Sequence, residues 1–359
     1  MKIQDFFKSI QEKQERNYLP VNMVFELTPY CNFNCNMCYI HINQNQHIQE
    51  VLSTEQWLSL IREASRAGAL YICFTGGEVL TRADFRDIYE EAYNQGLIIT
   101  VLSNGYLIND DVIKWLSEKK PKKIRITLYG ASDETYHRVC GIDNGFTVVS
   151  ANIQKLIDAK INVSVCMTVT NENKEDLSAV KEYALSKNIG FAWSDTIRRP
   201  ARITNREVAH LRVKKTLPVV DEEQVVHEKD LFPFQSDKPF SSCRCYKTSC
   251  IIGWNGKMIG CNFINSIYVD ALKGELVTNF RNLWDRLSEL KMPEKCKSCK
   301  YLKFCNPCPG TLEPESGDPE TISDYVCELA KYRYYTMNLL NRDNINNVQS
   351  SCEGDLNEN

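Results

Sequence analysis

Between residues 21 and 200, short apolar runs alternate with longer stretches whose apolar positions recur at helical spacing. The runs predict strands at Val21–Leu27, Leu70–Thr75, Leu97–Leu102, Lys123–Leu128, Ile161–Val169 and Gly190–Ser194. The periodic stretches predict helices over 54–67, with Ser53 or Thr54 as N-cap, and over 84–95, 110–118, 146–159 and 174–187. Six apolar strands separated by helices specify a parallel sheet, either doubly wound or a partial barrel. In both, functional groups gather where strands end and loops begin.

The pattern dissolves from about 201 to 242. Residues 198–215 hold seven basic side chains (Arg198, Arg199, Arg202, Arg206, Arg212, Lys214 and Lys215) against the single acid Glu207, and residues 221–230 hold five acids and one lysine. A solvated linker whose charges compensate is one reading; a mobile segment that grips an acidic substrate over an active site is the other. Beyond 243 the chain is rich in cysteine and short of regular structure until a helix predicted over 323–342, and the tail 343–359 is polar and expected to be disordered.

The 359 residues carry 43 Lys+Arg against 46 Asp+Glu, a formal charge of −3, with 43% hydrophobic and 25% charged residues. That composition is globular and gives no electrostatic reason to expect nucleic acid or an anionic membrane as partner. No run approaches the roughly 18 apolar residues of a membrane span, and the start lacks a signal-peptide core, so the expected location is cytoplasmic. The 16 cysteines change the picture. In a reducing compartment so many thiols are better read as metal ligands than as disulfides.

Cys31-Asn-Phe-Asn-Cys35-Asn-Met-Cys38 directly follows the first predicted strand. Three thiolates so close in sequence wrap one soft metal centre. A closed zinc site wants a fourth ligand, for which His41 is the nearby candidate. On a four-iron cluster, three cysteines instead leave one iron open to an exogenous ligand. This C-x3-C-x2-C spacing, followed by Tyr39, resembles the signature of radical S-adenosylmethionine enzymes. The resemblance covers roughly residues 20–200 and implies an α/β fold, a partial (β/α)6 TIM-like barrel. It also assigns cofactor-binding positions. Gly76-Gly77-Glu78 matches the family's GGE motif, where small residues let backbone approach the methionine end and the carboxylate accepts from its ammonium. Tyr39, Ser103, Asn104, Thr127 and Arg138 fall where the family contacts the rest of the cofactor, Arg138 as a clamp on carboxylate.

The later cysteines, Cys243, Cys261, Cys296, Cys299, Cys305, Cys308 and Cys327, are similar to the SPASM extension of that family, which carries two auxiliary four-iron clusters. Two residues separate Cys305 from Cys308 where the usual pattern has three. The resemblance assigns Cys296, Cys299, Cys305 and Cys327 to an outer cluster and Cys243, Cys261 and Cys308 to an inner one. Cys245 is preferred over Cys250 as its fourth ligand, because Cys250 sits in an apolar run; with neither, that iron stays open. Taken without the resemblance, the same cysteines suit a pair of zinc sites. The domain plan is therefore a lead over 1–20, a barrel over 21–200, a linker over 201–242, a cysteine-rich SPASM domain over 243–342 and a tail. The resemblance implies an oxidoreductase with S-adenosylmethionine and three [4Fe-4S] clusters, acting oxidatively on a peptide or protein (a thioether, a carbon–carbon crosslink or formylglycine) in an anaerobic host. No leader-recognition domain is expected ahead of the barrel, so a separate leader-binding protein presents the peptide or the site reads it directly, with Trp193, Arg198 and Arg199 as contacts. The electron donor would be a flavodoxin or ferredoxin. A small-molecule dehydrogenase and a non-enzymatic iron–sulfur or zinc protein are the alternatives.

Overall fold

A computed structural model of the chain describes residues 17–40, 51–200, 202, 207–213, 247–305 and 307–335. Six strands, β1 (Asn22–Glu26), β2 (Tyr71–Thr75), β3 (Ile98–Ser103), β4 (Lys123–Thr127), β5 (Val163–Thr168) and β6 (Gly190–Ser194), pair in parallel and in sequence order. Parallel pairing requires a long crossover between neighbours. Helices α1 (Thr54–Arg66), α2 (Phe85–Asn94), α3 (Asp110–Glu118), α4 (Asp133–Cys140), α5 (Gly145–Asp158) and α6 (Leu177–Ser186) supply them.

The predicted strands and five of these helices are present within a few residues of their expected bounds. Ser53 is the N-cap of α1, in a reciprocal capping box with Gln56. The expected helix over 174–187 opens with a 3-10 turn, Lys174–Asp176. Helix α4 was not expected, being short and largely polar, with Thr135, Tyr136, Val139 and Cys140 its buried residues. Ser132 caps its start and Gly141, at φ 66°, its end.

The core lies between the sheet and the helices. Registered residues share a face in a parallel ladder, so Met23 and Phe25 of β1 stand beside Ile72 and Phe74 of β2. These four are essentially inaccessible, as are Trp57, Leu60 and Ile61 on α1. The Phe25 ring lies 5.1 Å from Trp57 and 6.3 Å from Phe74.

The sheet does not end at β1. Strand β7 (Ser249–Ile252) pairs in parallel with β1, and β8 (Lys257–Ile259) and β9 (Val269–Asp270) follow antiparallel. Cys250 registers with Met23 and is fully buried, its Sγ 3.3 Å from the Met23 sulfur. Packing therefore occupies Cys250, in keeping with its apolar neighbours in sequence. Helix α7 (Leu276–Ser288) completes this region.

The chain divides into two compact units, Met1–Val213 with Arg244–Glu289, and Lys214–Cys243 with Leu290–Asn359. Residues 244–289 group with the barrel residues through β7, whereas the sequence expectation begins the cysteine-rich domain at 243. The described part of the second unit holds α8 (Glu294–Lys297), α9 (Pro309–Ser316) and a helix from 324 through 335. Its core joins Cys305, Leu312, Val326 and Ala330. No helix among the described residues is long and apolar enough to cross a membrane. The expected lead and tail, and most of the expected linker, lie outside the described residues.

Replacing Phe25 by Ala removes a ring held between two others at the sheet–helix interface. It is expected to cost about 3–5 kcal/mol, read as a lowered midpoint in urea unfolding of the metal-free chain.

Candidate active site at the carboxyl ends of the strands

A cavity of about 310 Å³ opens at the carboxyl ends of the parallel strands. Thr75 ends β2, Ser103 ends β3, Thr127 ends β4 and Thr168 ends β5, and all four line it. Cys31, Cys35 and Cys38, from the loop after β1, line the same cavity.

The position of that loop follows from Gly76 and Gly77. The β1–β2 ladder continues past the strand ends: Leu27 N–H donates to Thr75 O (2.8 Å), Gly77 N–H to Thr28 O (2.7 Å) and Glu78 N–H to Tyr30 O (2.8 Å). A Cβ on Gly76 would meet Thr28 O at 2.4 Å, and one on Gly77 would meet Tyr30 O at 2.2 Å. Gly76 also has φ 139°, which side chains rarely adopt. The glycines were expected to serve cofactor approach; in the fold, their absent side chains let the cysteine-bearing loop lie against β2.

Glu78 is fully buried and is not among the residues that line the cavity. Its carboxylate accepts from Leu80 N–H (3.1 Å), Ser103 Oγ (3.0 Å) and Asn104 N–H (2.7 Å). Burial raises its pKa, while these hydrogen bonds oppose the rise. The side chain thereby fixes the end of β3, where Asn104 sits. Asn104 Nδ2 in turn donates to Asn32 Oδ1 at 2.8 Å and lies 3.6 Å from Cys31 Sγ, while Phe33 N–H approaches the same sulfur at 3.4 Å.

Donors aimed at a sulfur suit a thiolate. Burial pushes the Cys31 thiol up, the Phe33 N–H works against that, and the negative charge of Cys35, Glu78 and Cys38 adds to the rise. Clustered thiols in a dry pocket become thiolates only beside compensating positive charge, which a metal centre provides. The donor set fits an iron–sulfur cluster. Among the described residues no three His, Cys, Asp or Glu side chains converge as a single metal ion requires, and a four-iron cluster spaces its ligands more widely than one tetrahedral zinc. His41 lies outside the described residues.

Behind the loop lies a buried ion pair that the sequence did not reveal. Glu26, at the end of β1, is inaccessible, and the Arg202 side chain is 12% exposed. Both guanidinium ends grip the carboxylate, one at 2.6 Å. Tyr39 Oη donates to Glu26 at 3.1 Å and accepts from Asn262 Nδ2 at 3.3 Å. Arg202 also stands over the Tyr39 ring (5.5 Å) and the Trp254 ring (5.3 Å). Tyr39 thus lines the cavity but is held from behind.

Of the remaining expected residues, Gly76, Gly77, Ser103, Asn104 and Thr127 line the cavity, whereas Arg138 does not. Its guanidinium donates to Glu172 O (2.9 Å) and Thr135 Oγ1 (3.1 Å). Cys140 is buried and shares a hydrogen bond with Cys35. Trp193 lies on β6 outside the cavity lining, whereas Arg198 is part of it.

In the second unit Cys296, Cys299, Cys305 and Cys327 are electrostatic neighbours. Burial and the proximity of the other thiols push Cys296 up to about 11 and Cys305 up to about 12. Cys308 caps the start of α9. Cys261 follows β8 in the first unit, and Cys243 and Cys245 lie outside the described residues.

Residues 25–184 match the model of the Radical SAM superfamily. Over these residues the chain is similar to that superfamily. The sporulation killing factor maturation protein SkfB of Bacillus subtilis is 31% identical over 166 residues, 46% of this chain and 40% of its own length; the match thus spans well under two thirds of that relative. An AdoMet-dependent heme synthase of Methanosarcina barkeri is 22% identical over 83% of this chain and 94% of its own. A PqqA peptide cyclase of Rhizobium meliloti is 22% identical over 79% and 80% respectively. The crystal structure of Streptococcus suis SuiB bound to its precursor peptide SuiA shares the fold at a TM-score of 0.66 and 17% identity, over 90% of this chain and 80% of that one. The α/β fold with its parallel sheet is therefore shared with that structure, and peptide maturases are among the relatives.

Removing one partner of the buried pair strands a charge. Glu26→Gln and Arg202→Met are each expected to cost about 3–5 kcal/mol. The double variant Glu26→Leu/Arg202→Met is expected to recover most of that loss, measured by urea unfolding of the metal-free protein.

Proposed function

We propose that the chain is a radical S-adenosylmethionine enzyme that oxidatively modifies a peptide or protein. One observation carries the reading: Cys31, Cys35, Cys38, Gly76 and Gly77 wall a single cavity where parallel strands end. A four-iron cluster held by those cysteines would supply the electron that cleaves S-adenosylmethionine and leave one iron for its amino and carboxylate groups.

The protein's own residues do the positioning. Gly76 and Gly77 hold the cysteine loop against β2, and Glu78 orients Asn104 toward Cys31. Ser103, Thr127 and Thr168 line the space a nucleoside would occupy. Phe33, Leu102 and Tyr129 form apolar wall that excludes water, which a reactive carbon radical requires. Cys296, Cys299, Cys305 and Cys327 would hold an outer auxiliary cluster; Cys243, Cys261 and Cys308, with Cys245, would hold an inner one. These would accept the electron released when the substrate is oxidised, and a flavodoxin or ferredoxin would supply the first. A separate leader-binding protein is proposed to present the peptide, and the bond formed is a thioether, a carbon–carbon crosslink or a formylglycine carbonyl. Peptide maturases among the relatives support this substrate class, whereas the heme synthase match favours a small molecule as the second reading.

Anaerobically reconstituted protein, given dithionite and S-adenosylmethionine, is expected to release 5′-deoxyadenosine. A Cys31→Ala/Cys35→Ala/Cys38→Ala variant should release none. Equal release by both, or zinc in place of iron in the active wild type, would sink the proposal.

A further inference from the structure

The barrel sheet is open, with β6 at one edge and β1 continuing into β7 away from it. The chain leaving β6 crosses that gap. Ile197 packs with Val208 and Leu211, and Met37 of the cysteine loop packs against the group. The Arg198 guanidinium stands 4.6 Å over the Phe263 ring, which follows β8. Arg202 then reaches Glu26 at the end of β1. The described residues after β6 thus reach Glu26 at the end of β1, and Thr196, Ile197 and Arg198 become cavity wall.

We infer that Arg198 is a carboxylate-binding subsite for the peptide substrate, selecting an acidic side chain or a free C-terminus beside the cofactor space. This rests on the peptide reading above. Among the described residues lining the cavity, Arg198 is the one cation, and no Asp or Glu accompanies it. Its Nε is buried with no hydrogen-bond partner among the described residues. A buried guanidinium N–H without an acceptor is costly, and a carboxylate matches its fork.

The neighbouring basic groups are otherwise occupied. Arg202 holds Glu26, Arg199 pairs with Glu207 at 3.3 Å, and Arg212 Nε donates to Ile197 O at 3.0 Å. The cofactor's own carboxylate is the competing ligand, since Arg138, the residue that the motifs assign to it, is outside the cavity lining.

The test uses the full chain, reconstituted anaerobically and immobilised with S-adenosylmethionine. Randomised hexapeptide pools with a central Glu and an amidated C-terminus are compared with pools carrying Gln there, and with Gln pools whose C-terminus is free. At least one carboxylate pool should be retained about tenfold better than the amidated Gln pool. Arg198→Gln should abolish the preference and Arg198→Lys retain part of it. Arg199→Gln should keep it in full, and thermal unfolding verifies that each variant folds. Equal retention of all pools, or a preference that survives Arg198→Gln, overturns the inference. So does a second result: if Arg198→Gln erases discrimination between S-adenosylmethionine and its decarboxylated analogue, the guanidinium serves the cofactor's own carboxylate. Failure of the radical reading shows separately, as absent 5′-deoxyadenosine release by a protein that still prefers a carboxylate pool.

Discussion

The close approach of residues 28–30 to Gly76 and Gly77 is the constraint on which the site depends. Three backbone hydrogen bonds carry the β1–β2 ladder beyond the strand ends, and no side chain fits at either glycine. Without that contact the cysteine loop has no fixed floor. With it, Cys31 arrives beside Asn104, whose own place is set by the Glu78 carboxylate. Strand pairing, a glycine pair and one buried acid thus translate the parallel sheet into a thiol-lined cavity.

A second layer of order comes from charge. A buried carboxylate alone on β1 would be strongly unfavourable, and Arg202 meets it with a two-pronged contact in surroundings of Tyr39, Trp254 and Asn262. Such pairs add little net stability but resist any arrangement that separates them. Here the resisted arrangement is displacement of the segment after β6. The same contact therefore holds the cysteine loop through Tyr39 and ties Arg202 to the end of β1.

The two sets of thiols illustrate different ways of assembling soft ligands. Cys31, Cys35 and Cys38 share one loop, so local sequence brings them together once the loop is seated. Cys296, Cys299, Cys305 and Cys327 come from α8, the turns after it and the final described helix, around the small core of Leu312, Val326 and Ala330. Cys250 shows the contrast: with a strand on each side and the Met23 sulfur against it, it is a core residue.

The sequence by itself determined the alternation of strand and helix, because apolar runs and helical periodicity are local signals. It also determined which loop carries the thiols, since the C-x3-C-x2-C spacing is contiguous. It did not disclose α4, whose few apolar positions are too short a sample for periodicity. Nor did it disclose that Ser249–Ile252 joins the barrel sheet, since hydrogen-bond partners far apart in sequence leave no local mark. Arg138 looked like a carboxylate clamp and instead bonds Glu172 and Thr135, whereas Arg198 entered the cavity. Where an arginine points depends on the packing of the element beneath it. Only the tertiary structure joined Glu26 to Arg202, because a salt bridge across 176 positions is decided by which strand edges the chain must span.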